Sequence, residues 1–344
     1  MHKEFLMGNA AIALGAVAAG VNVVAGYPGT PSTEVLETIA KHRPDDVYVE
    51  WSVNEKAAME LAAGASYAGA RSMVTMKQVG LNVASDPLMS LEYVGIKGGM
   101  VILVADDPGP ISSQTEQDTR HFSRFSKLPC FDPSSAQEAY EMIQEAFEYS
   151  EKYGTPVFLR PTTRVCHGYA SIMVKDETEY TLHQPEGFIK DSKRWVIFPR
   201  LSFMNHKKIE ARNQELSDIF SSYEKNTIHP SCDAFKDSKK GIATGGISYT
   251  YTMETLKKTG MVKTLKIATP HPFPEKLAVD FLSGLDEVLC LEELDPVIER
   301  ELIYICGKYH LPTRISGKLS GHTACAGEKD RKSTRLNSSH ESPS

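Results

Sequence analysis

Between residues 10 and 160, short apolar segments alternate with helix-length patterns, and this rhythm constrains the fold more than any other feature of the chain. Residues 21–25, 47–51, 71–76, 101–105 and 156–159 read as strands. Residues 10–19, 30–41, 55–70, 87–94 and 135–153 read as the helices between them. Strands this apolar must be buried on both faces, which a parallel sheet covered by helices on both sides provides. Over 171–239 the rhythm is lost to a polar stretch rich in Lys, Glu, Asp and Ser, read as a connector with a helix at 207–225. It returns over 240–325, with strands at 241–243, 266–268 and 287–292 and helices at 245–258, 275–282 and 297–306. The expectation is an α/β protein: one parallel-sheet unit over 1–170 and a smaller α/β unit of about three strands over 240–325.

A chain of 344 residues is long enough for two such units. Its net charge of −6 offers no basic face of the kind nucleic-acid binding needs. No apolar run reaches the roughly 20 residues of a membrane span. The stretch 10–20 imitates a signal-peptide core, but Glu4 and Asn9 spoil the basic segment that should precede it, and the apolar pattern continues into Val24. Six cysteines contain no Cys-x-x-Cys pair, which argues against a disulfide framework or a zinc site and makes a reducing cytoplasm the expected location. Residues 329–344 are polar apart from Leu336 and Pro343 and read as a non-native tail.

Four motifs carry chemistry. Gly26-Tyr27-Pro28-Gly29-Thr30-Pro31-Ser32-Thr33 follows the first strand. Thr30 suits a helix N-cap and Pro31 the first helical position, so free N–H groups there can hold an anion; an ordinary capped helix start explains the same residues. Next, Glu50-Trp51-Ser52-Val53-Asn54-Glu55-Lys56 places Glu55 on the first turn of a helix of small residues. An acid there commonly only complements the helix dipole, but it can also exchange a proton with a ring nitrogen of a flat ligand. Met76-Lys77-Gln78-Val79-Gly80-Leu81-Asn82-Val83-Ala84-Ser85-Asp86 reads as a polar loop at the carboxyl end of a strand, with Gly80 allowing an unusual backbone angle. Finally, a long polar loop from Asp106-Asp107-Pro108-Gly109 through Ser112-Ser113-Gln114 to Asp118-Thr119-Arg120 follows the most apolar strand. Its Arg120 can grip a carboxylate with two prongs, or the loop can simply be solvated. No Gly-x-Gly-x-x-Gly follows a strand and no Walker A motif occurs, which disfavours NAD-type dehydrogenases and P-loop enzymes.

In this order the four motifs closely resemble the alpha subunit of indolepyruvate:ferredoxin oxidoreductase, of the thiamine-diphosphate-dependent 2-oxoacid:ferredoxin oxidoreductase family. The resemblance spans roughly residues 3–325 and is most specific over 20–167. It implies a thiamine-enzyme pyrimidine-binding domain over 1–170 and a transketolase-C-like domain over 240–325. Glu55 matches the catalytic glutamate that hydrogen-bonds the cofactor's aminopyrimidine. Pro28, Gly29, Thr30, Lys77, Gly80 and Asn82 complete the implied cofactor-binding set. Thr30, Gln114 and Arg120 are the implied substrate-binding residues. The implied reaction converts a 2-oxo acid such as indole-3-pyruvate to acyl-CoA, with coenzyme A as acyl acceptor, 4Fe-4S clusters and ferredoxin taking the electrons, and a beta subunit as partner. Family members also carry a Gly-Asp-Gly magnesium motif and a cluster-binding cysteine run. Neither occurs here, so the chain is expected to be an N-terminal fragment, inactive alone, that leaves Mg2+ and cluster binding to other segments. A related pyruvate or 2-oxoglutarate enzyme, or a non-catalytic partner-binding protein, are the competing expectations.

Overall fold

The computed structural model describes residues 1–42, 47–324 and 327; the tail at 329–344 and Cys325 lie outside them. The chain enters through β1 (His2–Met7) and α1 (Gly8–Ala18), then alternates β2 (Val23–Gly26), α2 (Thr33–His42), β3 (Tyr48–Trp51), α3 (Glu55–Tyr67), β4 (Ser72–Lys77), α4 (Gln78–Val94) and β5 (Met100–Ala105). There follow α5 (Thr119–Ser126), β6 (Cys130–Phe131), α6 (Ala136–Tyr153), β7 (Val157–Leu159), α7 (Thr163–His167) and β8 (Tyr169–Val174). The remainder comprises α8 (Ser192–Trp195), α9 (Pro199–Phe220), β9 (Thr227–His229), β10 (Lys240–Gly245), α10 (Gly246–Thr259), β11 (Lys263–Ile267), α11 (Glu275–Leu282), β12 (Glu287–Leu291), α12 (Val297–Tyr309) and β13 (Arg314–Ser316).

Six strands form one parallel sheet in the order β3-β2-β4-β5-β7-β6. Every residue of β5 is buried, as a central strand covered on both faces requires. Val101 and Leu103 face a core shared with α1, α2 and α6, while Ile102 and Val104 face one shared with α3 and α4. β1 and β8 pair antiparallel outside this sheet. The second sheet runs β13-β12-β10-β11-β9, parallel except for β9. It has five strands rather than about three: β9 and β13 are three residues each, too short to show a period in sequence.

The polar stretch after β8 carries α9, whose Leu216 and Phe220 enter the first core beside Phe131. Much of the rest of α9 is polar, with Phe203 and Met204 exposed, so it reads as a connector. A larger departure concerns residues 76–86, expected as a loop. Met76 and Lys77 end β4, and residues 78–86 form the first half of α4, which runs through Pro87. Leu81, Ala84, Leu88 and Leu91 are buried at helical spacing against the sheet, and that packing outweighs the breaker signals of Gly80, Asn82 and Pro87.

Candidate active site

All four motifs gather at the carboxyl edge of the first sheet, where ligands bind in open α/β folds. β3 ends at Trp51, and Glu55 opens α3 directly after the Asn54 N-cap, whose side chain accepts the Ala57 N–H at 2.9 Å. Buried Ala58, Ala62 and Ala63 let α3 lie close to the sheet and to α4. The carboxylate of Glu55 is half-buried over Gly80 of α4. A Cβ at position 80 would lie 2.4 Å from Glu55 Oε1 and 2.7 Å from its Cγ. Gly80 is therefore needed for side-chain room and sits in regular helix, not in the unusual backbone angle expected.

The start of α4 is stitched to the loop 106–118 by three side chains. Lys77 Nζ donates to the Ser112 carbonyl at 3.2 Å, Gln78 Nε2 to the Thr115 carbonyl at 3.3 Å, and Asn82 Nδ2 to Gln117 Oε1 at 3.1 Å. Gln78 is buried, and its Oε1 has no partner. The turn 26–33 joins the same assembly: Gly29 backs onto the Lys77 side chain, and Ser112 Oγ donates to the Thr30 carbonyl at 3.3 Å. Pro28 and Thr30 are exposed on this turn. Thr30 does not cap α2, which starts at Thr33. The turn closes on itself instead, with the Gly29 N–H donating to Thr33 Oγ1 and Ser32 Oγ donating to the Gly29 carbonyl. Gln114 is exposed on the loop.

Arg120 is placed differently from the rest. Its guanidinium is buried and donates to Asp118, to Glu292 at 2.8 Å, and to the carbonyls of Glu293 and Asp295, both at 2.9 Å. Each of its three nitrogens already has a protein acceptor. Beside it, buried Arg160 donates to Asp106 at 2.6 Å and Asp132 at 3.3 Å. Asp106 in turn accepts from the N–H and hydroxyl of Thr119, which fixes the far end of the loop. Burial disfavours the charged form of Asp118, but Arg120 and Arg160 outweigh it and hold its carboxyl below the usual range. Burial dominates at Asp106, Asp132 and Glu292 and raises all three. Asp107 shapes the middle of the loop by accepting from the Ser112 N–H and the Ser113 and Thr163 hydroxyls. Asp132 and Arg160 lie outside the motifs read in the sequence, while Asp106, Asp107 and Gln78 lie inside them but have no place among the site residues expected there. A charged residue directly after an apolar strand, as at Asp106 and Arg160, is the signal that could have marked two of them.

A family model described as pyruvate flavodoxin/ferredoxin oxidoreductase, thiamine diphosphate-binding, matches residues 14–230, which include Glu55, Gly80 and the whole loop. The chain belongs to this family. Among curated relatives it is similar to the indolepyruvate oxidoreductase subunit IorA of Methanothermobacter thermautotrophicus, 43% identical over 93% of this chain and 51% of that protein. It is also similar to the subunit of the same name from Pyrococcus horikoshii, 40% identical over 92% of this chain and 49% of the other. The chain thus spans about half the length of these relatives. A 2-oxoglutarate synthase subunit KorA from Methanocaldococcus jannaschii is 30% identical over 52% of the chain and 51% of its own length. The fold matches that of a 2-oxoglutarate:ferredoxin oxidoreductase from Magnetococcus marinus, with a TM-score of 0.73 at 17% identity, over 92% of this chain and 62% of that one. A split-gene transketolase matches with a TM-score of 0.58 at 15% identity, over 90% of this chain and 87% of that one. No helix among the described residues is long and apolar enough to cross a membrane.

Proposed function

We propose that this oxidoreductase-family chain supplies the aminopyrimidine side of a thiamine diphosphate site in an enzyme that oxidises indole-3-pyruvate and other aryl pyruvates to acyl-CoA, with ferredoxin as electron acceptor. The observation that carries the reading is the Glu55 carboxylate held over Gly80 at the carboxyl edge of the sheet. Identity of 40–43% to two indolepyruvate relatives, against 30% to the 2-oxoglutarate one, favours the aryl substrate.

The residues fit one edge of a flat nitrogen heterocycle. Glu55 offers a half-buried acceptor, and the buried, unpartnered Gln78 Oε1 offers a second in the first turn of α4. On this reading Glu55 holds and returns a proton at a ring nitrogen. Lys77 and Asn82 act by holding the loop that closes over the site, while the turn at Pro28, Gly29 and Thr30 and the exposed Gln114 face the substrate. The cofactor, when bound, supplies the carbon centre that takes up the electron pair left by departing CO2. Residues 1–170 and 240–325 act as pyrimidine-binding and transketolase-C-like domains on either side of a connector. Mg2+ and the 4Fe-4S clusters are assigned to other segments of such an enzyme, and ferredoxin and a beta subunit are its partners, in a cytoplasmic setting. Among the described residues no group of three His, Cys, Asp or Glu side chains could hold a metal ion.

The test is Glu55→Gln in the oxidoreductase reconstituted around this chain, assayed by viologen reduction. Turnover of indole-3-pyruvate should fall by at least about a hundredfold with the fold intact; near-normal turnover overturns the role of Glu55. Equal or better turnover of pyruvate by the unmodified enzyme overturns the aryl preference.

A further inference from the structure

A 2-oxo acid is an anion at neutral pH, and a carboxylate drawn out of water needs a charged or hydrogen-bonding partner. The motifs that meet at the candidate active site also bring their own carboxylates, Glu55, Asp107 and Glu116 among them. Three cationic side chains lie on the four motifs: Lys56, Lys77 and Arg120. Two of these are engaged by carboxylates. Lys56 Nζ pairs with Asp86 at 2.7 Å, and Arg120 is buried between Asp118 and Glu292.

Lys77 is the third. Its partly buried side chain ends in an ammonium that donates to the Ser112 carbonyl at 3.2 Å and has no carboxylate partner among the described residues. An ammonium carries three N–H donors, so one is used and two are open. Its position is set from two sides. A Cβ on Gly29 would lie 3.1 Å from Lys77 Cγ and 3.3 Å from Cδ, so the bare glycine leaves the lysine stem its path across the turn. Gly29 has no left-handed backbone angle that would call for glycine on its own account. Ser112, the acceptor, is pinned in turn, its N–H on Asp107 at 2.9 Å and its hydroxyl on the Thr30 carbonyl. The ammonium thus sits where the turn 26–33, the start of α4 and the loop 106–118 converge.

We infer that Lys77 grips the carboxylate of the 2-oxo acid through its two open donors, the task that the sequence suggests for Arg120. The bond to Ser112 aims the ammonium, and the substrate completes its coordination. This assignment rests on the thiamine reading of the same edge and names the residue that meets the substrate's charge.

The test uses Lys77→Met and Lys77→Arg in the reconstituted oxidoreductase, with indole-3-propionate and its neutral amide as competitive inhibitors. In Lys77→Met the KM for indole-3-pyruvate and the inhibition constant of the acid should each rise about tenfold or more, while kcat changes by less than about threefold. Inhibition by the amide and the Kd of thiamine diphosphate should not change. Lys77→Arg keeps the charge and should hold the acid better than Lys77→Met does. Equal weakening of acid and amide would reduce Lys77 to a tie for the loop and overturn the assignment. An unchanged KM overturns it too, as does an unmodified enzyme that binds the acid no better than the amide. Weakened thiamine diphosphate binding with unchanged inhibition by the acid would give the ammonium to the cofactor's diphosphate instead. Absence of turnover of any 2-oxo acid by the unmodified enzyme defeats the thiamine reading itself, and the assignment with it.

Discussion

The contact between Glu55 and Gly80 shows how one missing methyl group can define a site. Glycine inside a helix costs up to about 1 kcal/mol relative to alanine, so Gly80 is kept against local propensity. Gly80→Ala should therefore leave the melting temperature unchanged or slightly raised. The new methyl would sit 2.4 Å from Glu55 Oε1, and a flexible side-chain end yields more readily than backbone, so the carboxylate moves. The reconstituted oxidoreductase should then lose at least about tenfold in kcat, a loss of the size that misplaced catalytic groups produce. Full activity with a raised melting temperature would show that the carboxylate is not needed where the structure holds it. The position of Glu55 was legible in the sequence, because Asn54 and the small-residue pattern mark the start of α3. The purpose of Gly80 was not, because its neighbour lies 25 positions away and local pattern carries no record of that approach. Arg120 is the same case at longer range: its acceptors at 292, 293 and 295 lie some 172 residues on.

At the scale of elements, α4 decides how the site is built, and its start was the least legible boundary. Glycine, asparagine and proline all argue for a loop locally, while the burial that overrides them exists only once the sheet has formed. The apolar strands were legible for the opposite reason, since burial on both faces leaves its mark on every residue, as in β5. The far end of α4 makes a testable pH response. Burial raises the Glu92 carboxyl to about 7 against the lowering effect of Arg212. Between about pH 4.5 and 7 the folded chain thus keeps a proton that the unfolded chain releases, and stability falls as pH rises through that window, by up to about 3 kcal/mol. Glu92→Gln cannot titrate there. Its melting temperature relative to the unmodified chain should climb from pH 5 to pH 7 and level off above pH 8. Parallel pH profiles of the two proteins would rule out Glu92 as the group responsible.

On the scale of the whole molecule, the two sheets are joined through buried charge as well as apolar contact. Asp132, at the end of β6, approaches the start of α10 so closely that a Cβ on Gly246 would lie 3.1 Å from its Oδ1, and Gly246 adopts φ +50°. Glu292, after β12, accepts the N–H groups of Val297, Ile298 and Glu299 and so caps α12, while its other tie runs to Arg120 of α5. Arg160 and Asp106 carry the chain of bonds on to Thr119, at the foot of the loop that closes the candidate active site. The second unit therefore buttresses that loop without reaching Glu55. Removing one member of a buried ion pair leaves the other charged and unmatched, at about 3–5 kcal/mol. Arg120→Met should lose stability on that scale in denaturant unfolding followed by circular dichroism. Adding Glu292→Gln should recover part of the loss, because it removes one of the two carboxylates stranded by the first change. A substrate-binding role for Arg120 predicts the reverse pattern, with stability within about 1 kcal/mol of the unmodified chain, a raised KM for the 2-oxo acid, and no rescue by the second substitution.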